Sequence, residues 1–256
     1  MITSKTKLME TNFKKPANDD HNGVLISYYQ LRMFIGLLGF LLSFLLVMTT
    51  YFLKDEHPFK VSISHYYYSF GHVIFVGTLC ILGGLFATYR GKDKYENMLS
   101  NFAGVMAVLV AVFPTRFQGY GGNIYINIDQ ANYQDWFTWV HYISAGLLFL
   151  SFSVFCLYFF QKSDKKQDGE TISEEEALKK SRRNLYYKIC GWGILISLAC
   201  IGIIALLGAD SDSDNQFLIY STLIFETTSL FFFSTSWLLK SSEFWNKNIP
   251  LVTYFR

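Results

Sequence analysis

Six long apolar stretches, each bounded by polar or charged residues, dominate the chain. Each is close to the roughly 20 residues that an α-helix needs to cross a hydrocarbon core. Because backbone polar groups in lipid must be satisfied within their own segment, these stretches predict helices. The predicted fold class is an all-α integral membrane bundle of six transmembrane helices. The spans run from Tyr28 to Leu53, Tyr66 to Tyr89, Met98 to Thr115, Trp136 to Phe160, Ile189 to Gly208 and Phe217 to Leu239.

The composition favours a bilayer as the solvent of this chain. Apolar residues make up 51% of it and aromatic residues 18%, whereas only 16% are charged, fewer than in an ordinary soluble domain. The first 27 residues lack the apolar core and cleavage site of a secretory signal, so we expect the first span to be retained. The expected organisation is a cytoplasmic tail (1–27), a transmembrane domain (28–240) and a second cytoplasmic tail (241–256).

Lysine and arginine lie mostly on one side of the predicted spans. Nineteen of them fall in the N-terminal tail, at the start of the first span, in the second and fourth loops and after the last span. Only Lys54, Lys60 and Arg116 fall in the remaining loops. The positive-inside rule therefore predicts that both termini and the even-numbered loops face the cytoplasm.

Besides Arg32 at the start of the first span, three ionisable side chains fall inside predicted spans: His72 in the second, His141 in the fourth and Glu226 in the sixth. Such a group costs about 2.5 to 3.5 kcal/mol near mid-bilayer, so it usually faces the bundle interior and marks a functional site. Residues three or four apart share a helix face. Polar neighbours at this spacing extend the three positions into stripes, which are His65, Ser69 and His72; Thr138, His141 and Ser144; and Thr222, Glu226 and Ser229.

The three helices that carry these stripes are expected to run in the same direction, from outside to inside. We therefore predict that the stripes face one another and form a polar pocket that opens toward the outer leaflet, edged by Arg116 and Asp135. The sequence assigns no catalytic residue to this pocket. Its predicted ligand-binding residues are His72, His141, Glu226, Arg116, Asp135, Ser69, Ser144 and Thr222.

Other interpretations of these side chains remain open. Each of the three ionisable residues could form an interhelical hydrogen bond that only fixes helix register, worth about 0.6 kcal/mol on average. The two histidines, Glu226 and Asp135 could instead hold a zinc ion with an activated water. No pair of them has the close spacing of a metal motif such as H-x-x-x-H, so no metal or other cofactor is predicted. A buried Glu226 could also relay protons.

Several short motifs occur in an order that resembles one membrane-protein family. They are Ile63-Ser64-His65 before the second span, Asn97 to Gly104 entering the third, His141 to Gly146 opening the fourth, and Phe225-Glu226 with Phe231 to Phe233 in the sixth. They resemble the six-span family that includes the DRAM autophagy modulators and the membrane proteins of GPI-anchor lipid remodelling. The run from Asn101 to Thr115 is also similar to a bacterial membrane-protein family of unknown function.

The resemblance implies six helices, both termini inside and a role tied to membrane lipids, and His141 and Glu226 match positions of its pattern. The preferred hypothesis is a protein of the cell membrane that binds or handles a lipid in the polar pocket. An intramembrane hydrolase or acyl-transferring enzyme, with or without zinc, and a small channel or proton-coupled transporter are the alternatives, so enzymatic activity is undecided. The expected partners are membrane lipids, a homo-oligomer is left open, and the net charge of +2 does not indicate nucleic acid.

Overall fold

Helices account for most of the described chain. The structure, a computed structural model, describes residues 28–91, 93–117, 133–162, 174–207 and 216–242. These residues form six α-helices, a 3₁₀ turn at Ser64–Tyr68 and a π-helical turn at Phe155–Phe159. The predicted tails, residues 1–27 and 243–256, lie outside the described residues. The α-helices are α1 (Tyr28–Phe52), α2 (His72–Thr88), α3 (Lys94–Val112), α4 (Asp135–Val154), α5 (Glu174–Leu207) and α6 (Gln216–Ser242).

Five helices of the described part are long and apolar enough to cross a membrane. They are α1, α3, α4 with its π-helical turn, α5 and α6. Helix α2 is also apolar but has 17 residues, which is at the short end of the range for a spanning helix. The predicted all-helical class, with helices suited to a membrane, is confirmed for the described residues.

Each helix packs against its neighbours in sequence, and α6 packs against α1. Helix α4 also touches α6. Aromatic rings fill the centre: Phe152 stacks on Phe233 with ring centroids 3.9 Å apart, and Phe86 meets Trp237 edge-on at 5.5 Å. All four side chains are buried. Since lipid tails are as apolar as the side chains, van der Waals packing of this kind, rather than the hydrophobic effect, holds such helices together.

The backbones of α2 and α3 approach each other closely. A Cβ atom built on Gly104 would lie 2.8 Å from the carbonyl oxygen of Gly83, a distance that real Cβ atoms essentially never show. Ala103, Ala107 and Ala111 are buried on the same helix, α3. Small residues at the contact permit this approach, as they do between membrane helices generally.

The helices alternate in direction, which gives the bundle two ends. At the end that we call the Arg32 end, α1, α3 and α5 begin and α2, α4 and α6 finish. A hydrogen-bond chain joins three of the helices there: Arg32 Nη2 donates to the Tyr89 hydroxyl at 3.1 Å, and this hydroxyl donates to Glu96 Oε1 at 2.8 Å. Lys240 Nζ, near the end of α6, donates to the backbone oxygen of Phe160, just after α4, at 3.3 Å.

Two helix starts differ from the predicted spans by more than four residues. The second span was expected from Tyr66, but α2 begins at His72 because Ser69 interrupts the helix. The Ser69 hydroxyl accepts the Gly71 N–H at 3.0 Å, a local bond that competes with helical pairing. The fifth span was expected from Ile189, whereas α5 begins at Glu174. The polar residues before Ile189 belong to the same helix as the apolar residues that follow.

Candidate functional site

The connection between α1 and α2 folds back onto the opposite end of the bundle, which we call the His141 end. Lys60 Nζ contacts both carboxylate oxygens of Asp55 at 3.0 Å, and both side chains are buried. The Tyr66 hydroxyl donates to the Pro58 backbone oxygen at 2.9 Å. A buried and paired charge is costly to expose alone, so these contacts hold the connection in one conformation.

Residues 61–63 of this connection lie along α6 and bring Glu226 into the site. Leu223 N donates to the Val61 backbone oxygen at 3.1 Å. Ile63 N donates to Glu226 Oε2 at 2.5 Å. One carboxylate oxygen of Glu226 therefore satisfies a backbone donor, which gives this intramembrane acid a structural role in holding the connection against α6.

The two serines that flank Ile63 and the nearby His65 form a small hydrogen-bonded cluster. Ser62 Oγ lies 2.9 Å from Ser64 Oγ and 2.6 Å from His65 Nδ1. The other ring nitrogen of His65, Nε2, is buried without a hydrogen-bond partner. Burial, reinforced by nearby His141 and Lys60, lowers the pKa of His65 to about 4, so its imidazole is neutral at pH 7.

His141 lies in the second turn of α4 and is 3% exposed. Its Nδ1 lies 2.7 Å from the backbone oxygen of Phe113, just after α3. A carbonyl oxygen can only accept, so Nδ1 carries the proton of this bond. In the neutral ring, Nε2 is then the nitrogen that can accept a hydrogen bond.

A cavity of about 620 Å³ lies among residues 61–65, α4, α5 and α6. One side is polar and the other is formed by apolar side chains of α4 and α5. Added Cβ atoms on Gly146 of α4 and Gly202 of α5 would meet nothing within 4 Å, so these glycines face open space. The polar side consists of Ser62, Ser64, His65, His141, Thr222 and Glu226.

The polar side continues toward the middle of the bundle. A second, much smaller cavity of about 50 Å³ is also lined by Ser64, His141 and Glu226, and it reaches Phe86 and Phe152 of the aromatic centre. The polar groups therefore separate a large cavity on one side from the packed aromatic centre on the other. A ligand in the large cavity would meet hydrogen-bonding groups at its innermost point.

No protein-family model, no curated protein and no solved structure matches the chain. The resemblance to the six-span lipid-related family therefore stays a prediction. What the cavity can bind has to be inferred from the residues that line it.

Within the described residues, no group of three or more His, Cys, Asp or Glu is arranged to hold a metal ion, so the zinc version of the site gains no support there.

The structure brings together three of the predicted site residues and separates the others. His141, Thr222 and Glu226 line the large cavity. Ser144 is buried on α4 but is not among the residues that line it. The expected convergence of three polar stripes is thus found for α4 and α6, whereas the connection before α2 takes the place expected for α2 itself.

His72 and Ser69 lie outside the cavity because the chain turns sharply between them and His65. His72 Nδ1 lies 2.8 Å from the Tyr67 backbone oxygen, and its ring packs edge-on against the Tyr67 ring at 4.4 Å. The Ser69 hydroxyl donates to the Tyr66 backbone oxygen at 2.9 Å. The prediction that His65, Ser69 and His72 share one helical face is wrong, because a 3₁₀ turn and a bend replace the expected helix.

Arg116 and Asp135 do not edge the cavity either. The Arg116 guanidinium contacts Asp135 Oδ1 at 2.7 Å, with the two side chains 64% and 76% exposed. The Arg116 N–H donates to Thr138 Oγ1 at 3.1 Å. These contacts tie the segment after α3 to the start of α4, and exposed ion pairs of this kind contribute little to stability.

Sequence reasoning missed Ser62 and Ser64 as site residues and placed His65 in the wrong group. The available signal was the run Ser62-Ile63-Ser64-His65, which places two hydroxyls and an imidazole directly before the second predicted span. It also missed the wall that α5 provides, because Leu198, Ile201 and Ala205 are indistinguishable in sequence from lipid-facing residues.

Proposed function

We propose that this chain is a six-span membrane protein that binds a membrane lipid in the cavity among α4, α5, α6 and residues 61–65. The observation that carries the proposal is the division of the cavity into a polar inner side and an apolar wall. A lipid needs both, since its headgroup requires hydrogen-bonding partners and its acyl chain requires an apolar surface. Pockets of about 300 to 1,000 Å³ are typical of small-molecule sites.

The surroundings of the cavity support access from the hydrocarbon. Ile143 and Leu150 of α4 line the cavity and are 57% and 44% exposed. Ile196 and Ile203 of α5, on the neighbouring helix surface, are 60% and 56% exposed. Apolar side chains exposed at this level are stable against lipid tails rather than water. We infer that the cavity opens sideways between α4 and α5, so that a lipid enters from the bilayer.

The topology in this proposal has both termini in the cytoplasm. The alternation of helices puts the starts of α1, α3 and α5 at the Arg32 end, where 19 of the 22 basic residues belong by sequence. The positive-inside rule favours that end as the cytoplasmic one. The cavity then lies in the outer half of the membrane. A green fluorescent protein fused after Arg256 should fluoresce. A fusion protein that is fully expressed but not fluorescent would contradict the cytoplasmic orientation of the C-terminus.

Lipid retention after purification tests the binding function. The purified protein should carry lipid detectable by native mass spectrometry, and Gly202→Leu should displace it because the new side chain enters the cavity. Gly84→Leu on α2 is the matched control, since an added Cβ there also meets nothing within 4 Å and α2 does not line the cavity. Equal lipid retention in the wild type and the Gly202→Leu variant would contradict the proposal.

A hydrolase or acyl-transferring enzyme is the second candidate, favoured by the 2.6 Å contact between Ser62 Oγ and His65 Nδ1. In such a reaction the serine oxygen attacks an ester carbonyl, its proton passes to the histidine and then to the leaving alcohol, and water or a second alcohol takes the acyl group. Ser62→Ala should abolish ester cleavage while lipid retention persists. Absence of ester cleavage by the wild type, or full activity in Ser62→Ala, would exclude this mechanism.

A further inference from the structure

Among the described residues, the lining of the large cavity contains no lysine or arginine. Apart from the phenol of Tyr142, its ionisable members are Glu226 and the imidazoles of His65 and His141. A phosphate buried in a low-dielectric site needs a cation or several strong donors to offset its lost hydration. An ionised Glu226 would repel a phosphate instead. The charge of this lining is therefore poorly matched to the headgroup of a phospholipid.

Two basic side chains of this end of the bundle are already paired with carboxylates. Lys60 precedes the cavity-lining segment, but its ammonium contacts both oxygens of the buried Asp55. Arg116 was predicted to edge the pocket, yet it pairs with Asp135 at the surface. Breaking the buried Lys60 pair would leave Asp55 uncompensated, which costs several kcal/mol.

The same lining is well supplied with groups that bond to hydroxyls. His65 Nε2 is buried without a partner, and a neutral imidazole nitrogen either donates to or accepts from a hydroxyl, depending on the tautomer. The hydroxyls of Ser64 and Thr222 and the carboxyl group of Glu226 also line the cavity. A hydroxyl can act as both donor and acceptor, so it can satisfy each of these groups in turn.

We propose that the cavity selects an uncharged lipid whose headgroup carries hydroxyls, of the monoacylglycerol type, and not a phospholipid. This inference rests on the proposed lipid-binding function and adds the class of lipid to it. The hydroxyl headgroup reaches His65, Thr222 and Glu226, and the acyl chain lies along Gly146 and Gly202 between α4 and α5.

A pair of ligands that differ only by a phosphate tests this selection. The probes are 1-oleoylglycerol and 1-oleoyl-lysophosphatidic acid, each titrated at pH 7 against the full-length protein in detergent and followed by native mass spectrometry. We expect the monoacylglycerol to bind at least about tenfold more tightly, which corresponds to about 1.4 kcal/mol. Gly202→Leu should abolish its binding, and Gly84→Leu should not change it.

The possible outcomes separate this inference from the function on which it rests. Tighter binding of the lysophosphatidic acid, lost in Gly202→Leu, would overturn the selection for uncharged lipids and leave the lipid site standing. Binding of either probe that is equal in the wild type and Gly202→Leu would remove the lipid site itself. Tighter binding of the monoacylglycerol that is lost in Gly202→Leu and weakened in Thr222→Val supports both.

Discussion

The Arg32 end and the His141 end of the bundle bury similar side chains but surround them differently. At the Arg32 end, Arg32, Glu96 and Lys240 are each 2% exposed, and the rings of Phe160 and Trp237 fill the space between helices with centroids 5.2 Å apart. At the His141 end, His141 is almost as deeply buried but faces a cavity of about 620 Å³. Burial of a polar group therefore does not identify a binding site; adjoining empty space does.

The largest expected effect of a single substitution is at the Arg32 end. Glu96→Ala removes the carboxylate that Tyr89 links to Arg32, and loss of one member of a buried charged network costs about 3 to 5 kcal/mol. Thermal unfolding in detergent should show this loss. Glu175→Ala is the control, because its pair with Lys179 is exposed and should contribute little to stability. Equal effects of the two variants would remove the contrast between the ends.

The pH dependence of unfolding should reveal the buried imidazole at the His141 end. Burial lowers the pKa of His65 from 6.5 to about 4, so between these pH values the unfolded chain binds a proton that the folded chain excludes. The free energy of unfolding is therefore highest above pH 6.5 and falls by about 3 kcal/mol as the pH approaches 4. Unfolding of His65→Gln, followed over the same pH range, should depend less on pH. An unchanged slope would show that His65 is not excluded from protonation.

The smallest expected effect compares one added methyl group at each end. A Cβ on Gly91 would lie 2.3 Å from Glu96 Cδ, so Gly91→Ala should destabilise the protein by about 1 to 3 kcal/mol through overpacking. A Cβ on Gly202 meets nothing within 4 Å. Gly202→Ala should therefore be neutral or stabilising by up to about 1 kcal/mol, because alanine favours helix. Unfolding temperatures of the two variants and the wild type, measured side by side, test this difference. A destabilised Gly202→Ala would mean that the space beside Gly202 is filled.

The helices were largely predictable because each is encoded by a local run of apolar residues. The fourth helix starts within one residue of the prediction, and the first and sixth are helical from Tyr28 and Gln216, the first described residues of their segments. The main errors, at the starts of α2 and α5, have local polar causes: Ser69 bonds to its own turn, and the charged residues after Glu174 continue the helix without an apolar signal. Neither effect changes the hydrophobic pattern on which the prediction depends.

The site was only partly predictable because it depends on contacts between distant residues. His141, Thr222 and Glu226 were found from their position within apolar helices. The approach of residues 61–65 rests on the bond from Ile63 to Glu226, which joins residues 163 positions apart. No spacing rule anticipates such a bond, so His65 was grouped with its sequence neighbour His72 instead of with its spatial neighbour His141.

The length of α5 has a mechanical consequence for the cavity. Its 34 residues extend about 51 Å at 1.5 Å per residue, and Tyr187 packs against Phe160 at the Arg32 end with centroids 5.5 Å apart. About 20 Å of the helix, from Glu174 onward, therefore precedes this contact. Because Leu198 and Gly202 lie on the same helix, we expect a displacement of the residues before Tyr187 to shift the cavity wall.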